Sequence, residues 1–478
     1  MTLKDKLSAE PGFQYIIDKL EFMSAAGRRR MLQQEFMTDY KTLDSELVRV
    51  SLIVETLCND DSKRPVSHLR HQLMQMHDLQ GTLNNLRQHI CLEELELFEI
   101  KSFSLLCMET SRAADQMGRA ALLDIPDVSS VFKLLDPDGT GLPNFYVYDS
   151  YHPDLASLRR QLRSLQTKME SVHKEGEDPV ELQRRINDLF DRQNQIQQLV
   201  IAQLSDRLVE YQPLLQRAFD SMAYTDFLFA KATQAVEWQL VHPQIVARDS
   251  KHTAQTFTKM WNPRLRHRNE ELGLRYQPVD IAFGSGTCLI TGANMAGKTV
   301  LLKTVGIVQL MAQFGFFVPA QQASLVLVDD VIFCIGDEQN EMNGLSSFAS
   351  EIIKISNALS RAERENLLIL IDEPARTTNP IEGKAIVQSV ADILDQRPSM
   401  SLITTHYSQL GLACRRLRVK GFVESSASEK LTPENINRFI DYSLLADDSD
   451  DVPQEALRIA TILQCNPLLL QRVKAYLC

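Results

Sequence analysis

The segment Gly292-Ala293-Asn294-Met295-Ala296-Gly297-Lys298-Thr299 fits G-x-x-x-x-G-K-[ST] at every defined position. An apolar run, Thr287-Cys288-Leu289-Ile290-Thr291, precedes it, and a helix-like run through Val300, Leu301, Leu302, Val305 and Ile307 follows. Strand, glycine-bearing turn and helix in that order make a loop that wraps phosphate. The glycines let successive N–H groups turn inward, and the helix N-terminus adds partial positive charge. In such a loop Lys298 reaches the β- and γ-phosphates, and the Thr299 hydroxyl ligates Mg²⁺. ATP and Mg²⁺ are therefore the expected ligands.

The residues downstream extend this chemistry. Leu367-Leu368-Ile369-Leu370-Ile371-Asp372-Glu373 is an apolar strand ending in two carboxylates. After a phosphate loop, Asp372 is placed to hold Mg²⁺, and Glu373 to orient or deprotonate the attacking water. A base so positioned contributes about a hundred- to ten-thousand-fold in rate. Ser401-Leu402-Ile403-Thr404-Thr405-His406-Tyr407 is a second strand with a polar end. There His406 is either a hydrogen-bonded strand-end residue or a γ-phosphate sensor, and the preceding motifs favour the sensor. In Asn343-Gly344-Leu345-Ser346-Ser347-Phe348 the serines precede a helix over 349–359, where they read as caps. Asp136-Pro137-Asp138-Gly139-Thr140-Gly141 imitates a calcium loop, but its twelfth position is Val147 instead of the closing Glu. It is expected to be a turn.

A chain of 478 residues suggests two to four domains, and sparse Gly (19) and Pro (18) favour long regular elements. The net charge of −11 lowers the expectation of a nucleic-acid partner, because phosphate neutralisation needs a basic surface. The eight cysteines include no C-x-x-C pair and no Cys/His cluster with metal spacing, which suits a reducing cytosol. No apolar stretch approaches a membrane span, and no signal-peptide core follows the N-terminus, so a cytoplasmic protein is expected. Residues 1–150 read as a helical core. Leu155, Leu158, Leu162, Leu165, Met169 and Val172 then form a coiled-coil seam, answered by Leu182, Ile186, Leu189, Ile196 and Val200. Residues 151–260 therefore read as a helical hairpin and its return. Residues 261–440 alternate short apolar runs (Cys288–Ile290, Leu325–Val328, Val331–Ile335, Leu367–Ile371 and Leu402–Thr404) with helix-length segments, an α/β pattern with strands buried on both faces. Residues 441–478 read as a C-terminal helical segment, with a helix over 453–463 after the acidic loop Asp447-Asp448-Ser449-Asp450-Asp451. The fold class is thus mixed: an all-α core with a short hairpin, followed by an α/β P-loop domain.

These pieces together resemble the MutS family of dimeric ATPases. Thr291–Thr299 is similar to that family's TGPNMGGKS loop, with Ala293 and Ala296 as departures. Gly315-Phe316-Phe317-Val318-Pro319-Ala320 resembles G-x-[FY]-V-P-A, and Asn343–Phe348 resembles S-G-x-S-T-F. The resemblance implies that Asn343, Gly344 and Ser346 reach the nucleotide of a partner subunit. That replaces the cap reading and implies a dimer, of like or related subunits, with composite sites. Asp372-Glu373 resembles the Walker B pair and Thr405-His406-Tyr407 the family's THY switch. Tyr276 falls where the family stacks an aromatic on adenine, and 441–477 resembles the dimerisation region. No Phe-x-Glu wedge precedes the phosphate loop, the hairpin tip Lys174-Glu175-Gly176-Glu177-Asp178 is not basic, and no nuclease-like domain is recognised.

A narrower resemblance fits these departures. Asp372-Glu373-Pro374-Ala375-Arg376-Thr377-Thr378-Asn379-Pro380-Ile381-Glu382-Gly383 resembles the D-E-P-A-R-T-T-N-P-x-E-G signature of MutS-related ATPases associated with lysine 5,6-aminomutase. Phe145–Asp149 and Tyr151-His152-Pro153 also resemble that branch. The resemblance implies an ATP-driven reactivase for an adenosylcobalamin-dependent aminomutase, the partner being the client enzyme, since the chain lacks the cobalamin motif D-x-H-x-x-G. In that cycle Lys298 and the partner subunit's Ser346 close on the γ-phosphate, and hydrolysis assisted by Glu373 resets the machine. The competing expectation is a MutS-like ATPase acting on branched or damaged DNA. A scaffold with a degenerate site is disfavoured by the presence of Lys298, Thr299, Asp372, Glu373 and His406.

Overall fold

The protein was analysed as a computed structural model that describes residues 1–7, 10–175, 178–246, 254–293, 296–336, 347–422, 439–447, 460 and 465–477. Helices occupy the first half: α1 (Leu3–Lys6), α2 (Pro11–Asp18), α3 (Ala25–Leu32), α4 (Tyr40–Cys58), α5 (Lys63–Met74), α6 (Gln80–Arg87), α7 (Glu94–Gln116), α8 (Ala120–Leu123), α9 (Ser129–Leu135), α10 (Leu155–Glu175), α11 (Pro179–Val209) and α12 (Gln212–Glu237). Contacts divide the chain into two compact units. One comprises Met1–Leu20, Gln33–Val54 and Lys231–Cys478, the other Glu21–Leu32 and Glu55–Ala230. The expected 1–150 helical core is therefore split, because two of its N-terminal pieces cluster with the second half of the chain.

In the helical unit the leucine spacing produces the hairpin. Leu155, Leu158 and Leu162 of α10 are buried, Leu165 and Met169 half-buried, and on α11 Leu182 and Val200 are buried. The two helices pack on each other. Asp178 starts α11 by accepting from the Val180 N–H at 3.0 Å, and Pro179 occupies the first helical position, where its missing N–H costs nothing. Val172 and the tip residues Gly176 and Glu177 have no described side chain.

The calcium-loop look-alike is a turn with an internal cation. Lys101 on α7 is fully buried, and its ammonium donates to Asp136 Oδ1 at 2.9 Å, Asn144 O at 2.8 Å and Tyr148 Oη at 2.7 Å. The Asp136 carboxylate also accepts from Thr140 Oγ1 at 2.6 Å and the Gly141 N–H at 2.8 Å. A buried charge needs this degree of pairing to offset its lost hydration.

The other unit holds two sheets. The strands are β1 (Gln244–Val246), β2 (Gln255–Met260), β3 (Val279–Phe283), β4 (Gly286–Thr291), β5 (Gln322–Val326), β6 (Asp330–Cys334), β7 (Leu367–Ile371), β8 (Met400–Thr404), β9 (Arg415–Phe422) and β10 (Ile440–Ala446), with the helix α13 (Pro263–Glu271) between β2 and β3. The first sheet has the order β1-β5-β2-β3, the second β10-β9-β4-β8-β7-β6. In the second, β9, β4, β8, β7 and β6 are parallel and β10 is antiparallel at the edge. Every residue of β4, β7 and β8 is buried, as parallel strands covered on both faces require. Alternate residues of β7 face opposite ways: Leu367, Ile369 and Ile371 pack against Ile355, Val387 and Val390 of α15 (Ser347–Arg361) and α16 (Pro380–Asp395). The other face meets α14 (Lys298–Gln313), which contacts β6, β7 and β8.

Three sequence expectations change here. The α/β region begins before residue 261, since β1 and β2 already belong to the first sheet. The run Leu325–Val328 is not in the parallel sheet: β5 pairs with β1 and, antiparallel, with β2. Residues 441–446 are a strand, β10, so the C-terminal segment does not begin as helix; α17 (Pro467–Leu477) does appear, and the helix expected at 453–463 falls mostly outside the described residues. Apolar runs alone do not reveal which sheet takes a strand, because register is set by partners far away in sequence.

Candidate functional site

Register brings the polar strand ends together. Ile371 of β7 pairs with Ile403 of β8, so Asp372 and Thr404, the next residues, lie side by side. β8 pairs in turn with β4, Ile290 opposite Thr404, which brings the loop after Thr291 to the same edge. Thr404 Oγ1 donates to Asp372 Oδ1 at 2.6 Å and accepts from the Glu373 N–H at 2.8 Å. The other Asp372 oxygen, Oδ2, accepts from Thr299 Oγ1 at 2.6 Å. A hydroxyl and a carboxylate thus converge from α14 and β7, the hard oxygen donors that a small dication takes.

Lys298 is buried beside this pair. Its ammonium donates to Gly292 O at 2.8 Å and Ala293 O at 3.2 Å, and lies 3.2 Å from Glu373 Oε1. Arg376 flanks the other Glu373 oxygen at 3.8 Å. Gly297 caps α14 at φ +78, and a Cβ there would stand 3.0 Å from the Tyr442 ring, so both backbone and space call for glycine. Asn294 and Met295 lie outside the described residues, as do Asn343, Gly344 and Ser346.

The loop after β7 is held in an unusual conformation. Glu373 and Ala375 have φ of +45 and +61, left-handed values that cost a non-glycine residue on the order of 1–3 kcal/mol each. Further along, Asn379 accepts from the Ile381 N–H at 2.9 Å to start α16, with Pro380 at its first position. Gly383 admits Tyr407: a Cβ there would lie 2.2 Å from the Tyr407 hydroxyl. The N-P-x-E-G part of the sequence pattern is thus a cap, a helix start and a close-contact glycine.

A cavity of about 950 Å³ adjoins the phosphate loop, with Gly297, Val300, Thr304, Tyr276, Phe439 and Tyr442 in its wall. Tyr276 Oη accepts from the Asn262 N–H at 2.8 Å, and Asn262 Nδ2 donates to Thr304 Oγ1 at 3.1 Å, which ties this wall to α14. Burial pushes the Tyr276 phenol up.

The structure therefore gathers Lys298, Thr299, Asp372 and Glu373, and puts Tyr276 and Gly297 in the adjoining cavity wall. His406 is exposed, with its ring 4.4 Å from that of Tyr407. Sequence reading gave no role to Thr404, Glu351 or Tyr442, and it named Tyr407 only as part of the Thr405-His406-Tyr407 switch. The available signal for Thr404 was a hydroxyl at the end of a fully buried strand.

Comparison with known proteins adds to this geometry. Residues 288–436 match the family model for MutS domain V. The match starts within β4 and takes in the phosphate loop, β7 and β8. Curated relatives include proteins named endonuclease MutS2. That of Geobacillus thermodenitrificans is 35% identical over 234 residues, 48% of this chain and 28% of the relative. That of Agathobacter rectalis is 33% identical over 236 residues, 48% and 28%. That of Shouchella clausii is 36% identical over 214 residues, 44% and 26%. The similarity thus spans about half of this chain and little more than a quarter of each relative. The segment that matches the family model carries the gathered side chains Lys298, Thr299, Asp372 and Glu373. Among the described residues no helix is long and apolar enough to cross a membrane, and no cluster of three or more His, Cys, Asp or Glu side chains could hold a metal.

Proposed function

We propose that this chain binds MgATP at the phosphate loop, hydrolyses it, and couples the cycle to a transaction on nucleic acid. The observation that carries the ATPase reading is the 2.6 Å hydrogen bond between Thr299 Oγ1 and Asp372 Oδ2. It joins the end of the loop to the strand-end carboxylate. Thr299 and Asp372 are the residues that would hold Mg²⁺, which supplies charge neutralisation at the phosphates. Lys298 has three oxygen neighbours that phosphate oxygens can replace, and Glu373 stands next to it to orient water. Asn343, Gly344 and Ser346 would complete the site from a partner subunit, His406 would sense the γ-phosphate, and Tyr276 would face the base.

Support for the nucleic-acid reading comes from the relatives, whose name, endonuclease, denotes an activity on nucleic acid. α10 adds exposed Arg160, Arg163 and Lys168, a local basic face on an acidic chain. A second reading, reactivation of a cobalamin-dependent aminomutase, is favoured by the sequence patterns at Asp372–Gly383, Phe145–Asp149 and Tyr151–Pro153; the comparisons offer it no support.

ATP turnover measured alone, with duplex and branched DNA, and with cobalamin-inactivated lysine 5,6-aminomutase separates these readings. Stimulation by DNA that fades steeply as salt rises supports the first. Stimulation by the inactivated enzyme alone transfers the site to the second. Turnover that is absent under all conditions removes the ATPase reading.

A further inference from the structure

The turn that carries Glu373 is strained at two non-glycine residues and persists only while neighbours hold it. Three holders come from β8, the residues after it and the turn itself: Thr404 Oγ1 on the Glu373 N–H at 2.8 Å, and, on Ala375 O, the Tyr407 hydroxyl at 3.4 Å and the Thr378 N–H at 3.3 Å. The fourth comes from a different element. Glu351, one turn into α15, accepts from the Ala375 N–H at 2.9 Å through Oε1. Ala375 is fully buried, so without Glu351 its N–H would lose a partner that water cannot readily replace. Burial pushes the Glu351 carboxyl up, while the Ala375 N–H and Arg376 pull it back down.

We propose that Glu351 is a positioning residue for Glu373: by holding the Ala375 N–H it locks the left-handed turn that aims the Glu373 carboxylate at Lys298 and the phosphate loop. Its catalytic consequence rests on the ATPase reading above; its structural consequence does not. Glu351 acts through the backbone of residues 373–375, by way of the Ala375 N–H that it holds. The alternative is that Glu351 contributes only negative charge near Asp372.

The test compares the full chain with Glu351→Ala, Glu351→Gln, Ala375→Gly and the double variant Glu351→Ala/Ala375→Gly. Glutamine keeps the accepting Oε1 without the charge, and glycine takes positive φ without strain. Glu351→Ala is expected to lower kcat by at least about ten-fold with KM changed less than about two-fold, the pattern of a lost transition-state interaction. Glu351→Gln is expected to stay near wild type, and the double variant to recover most of the loss. Equal damage by Gln and Ala overturns the proposal in favour of charge, and so does a loss confined to KM. Amide hydrogen exchange across 372–378, measured without nucleotide, gives the independent readout. Glu351→Ala should speed exchange there and Glu351→Gln should not; unchanged exchange in Glu351→Ala overturns the positioning role. If wild type turns over no ATP, the ATPase reading fails by that result, and the exchange comparison alone decides the role of Glu351.

Discussion

The buried Lys298 ammonium and the half-buried Glu373 carboxylate lie 3.2 Å apart. The phosphate-loop cation is thereby paired with the carboxylate expected to act on water, and on the ATPase reading proposed above ATP would compete with Glu373 for it. Glu373→Gln should therefore do two things at once. Turnover should fall about a hundred- to ten-thousand-fold through loss of the base. ATP affinity should rise, because one competitor for Lys298 is gone. Turnover assays and equilibrium nucleotide binding check the two effects separately, and near-normal turnover would remove Glu373 from the base role.

Thr404 should matter as much as the carboxylates it touches. Its hydroxyl donates to Asp372 and accepts from the Glu373 N–H, and it is fully buried. Thr404→Val keeps the shape but leaves both partners unmet, at a cost of about 1–3 kcal/mol for each buried group. We expect a loss in kcat exceeding any loss in thermal stability, whereas Thr404→Ser should restore most of the rate. Equal rates in the Val and Ser variants would contradict the bridging role.

The bridge also marks how far the sequence could be read. The phosphate loop, β7 and β8 are legible because each is an apolar run ending in polar residues, and the hairpin is legible because its leucines keep a heptad spacing. Thr404 is not legible, since its role depends on the pairing of Ile371 with Ile403. The assignment of β5 to the first sheet, and of residues 440–446 to the second, likewise depends on strands distant in the chain. Glu351 reads as an ordinary helical glutamate until the turn at Ala375 is seen.

Gly383 and Tyr407 should be coupled. A Cβ on Gly383 would sit 2.2 Å from the Tyr407 hydroxyl and 3.0 Å from Ala375 O. Gly383→Ala must displace Tyr407 or the strained turn, and should lower turnover. Tyr407→Phe removes the clashing oxygen at the cost of a long 3.4 Å hydrogen bond, so the double variant Gly383→Ala/Tyr407→Phe should exceed Gly383→Ala in rate. Additive losses in the double variant would show that the two sites do not communicate.

Lys101 and Asp136 should govern acid stability of the helical unit. Burial alone would raise the Asp136 carboxyl, but hydrogen bonds from Thr140, Gly141 and Lys101 outweigh it and hold the group well below the usual carboxylate range. A carboxyl depressed by folding stabilises the native state above its unfolded value, about 3.9, and that contribution disappears as pH falls below it. Asp136→Asn should flatten the loss of stability below about pH 4. At pH 7 it should destabilise by roughly 3–5 kcal/mol, because it strands the fully buried Lys101 ammonium. Lys101→Met combined with Asp136→Asn should be less damaging than Asp136→Asn alone, since no buried charge remains. Urea unfolding of all three variants and wild type at pH 7 and pH 3 measures this, and parallel wild-type and Asp136→Asn pH profiles would rule the pair out as the acid-sensitive element.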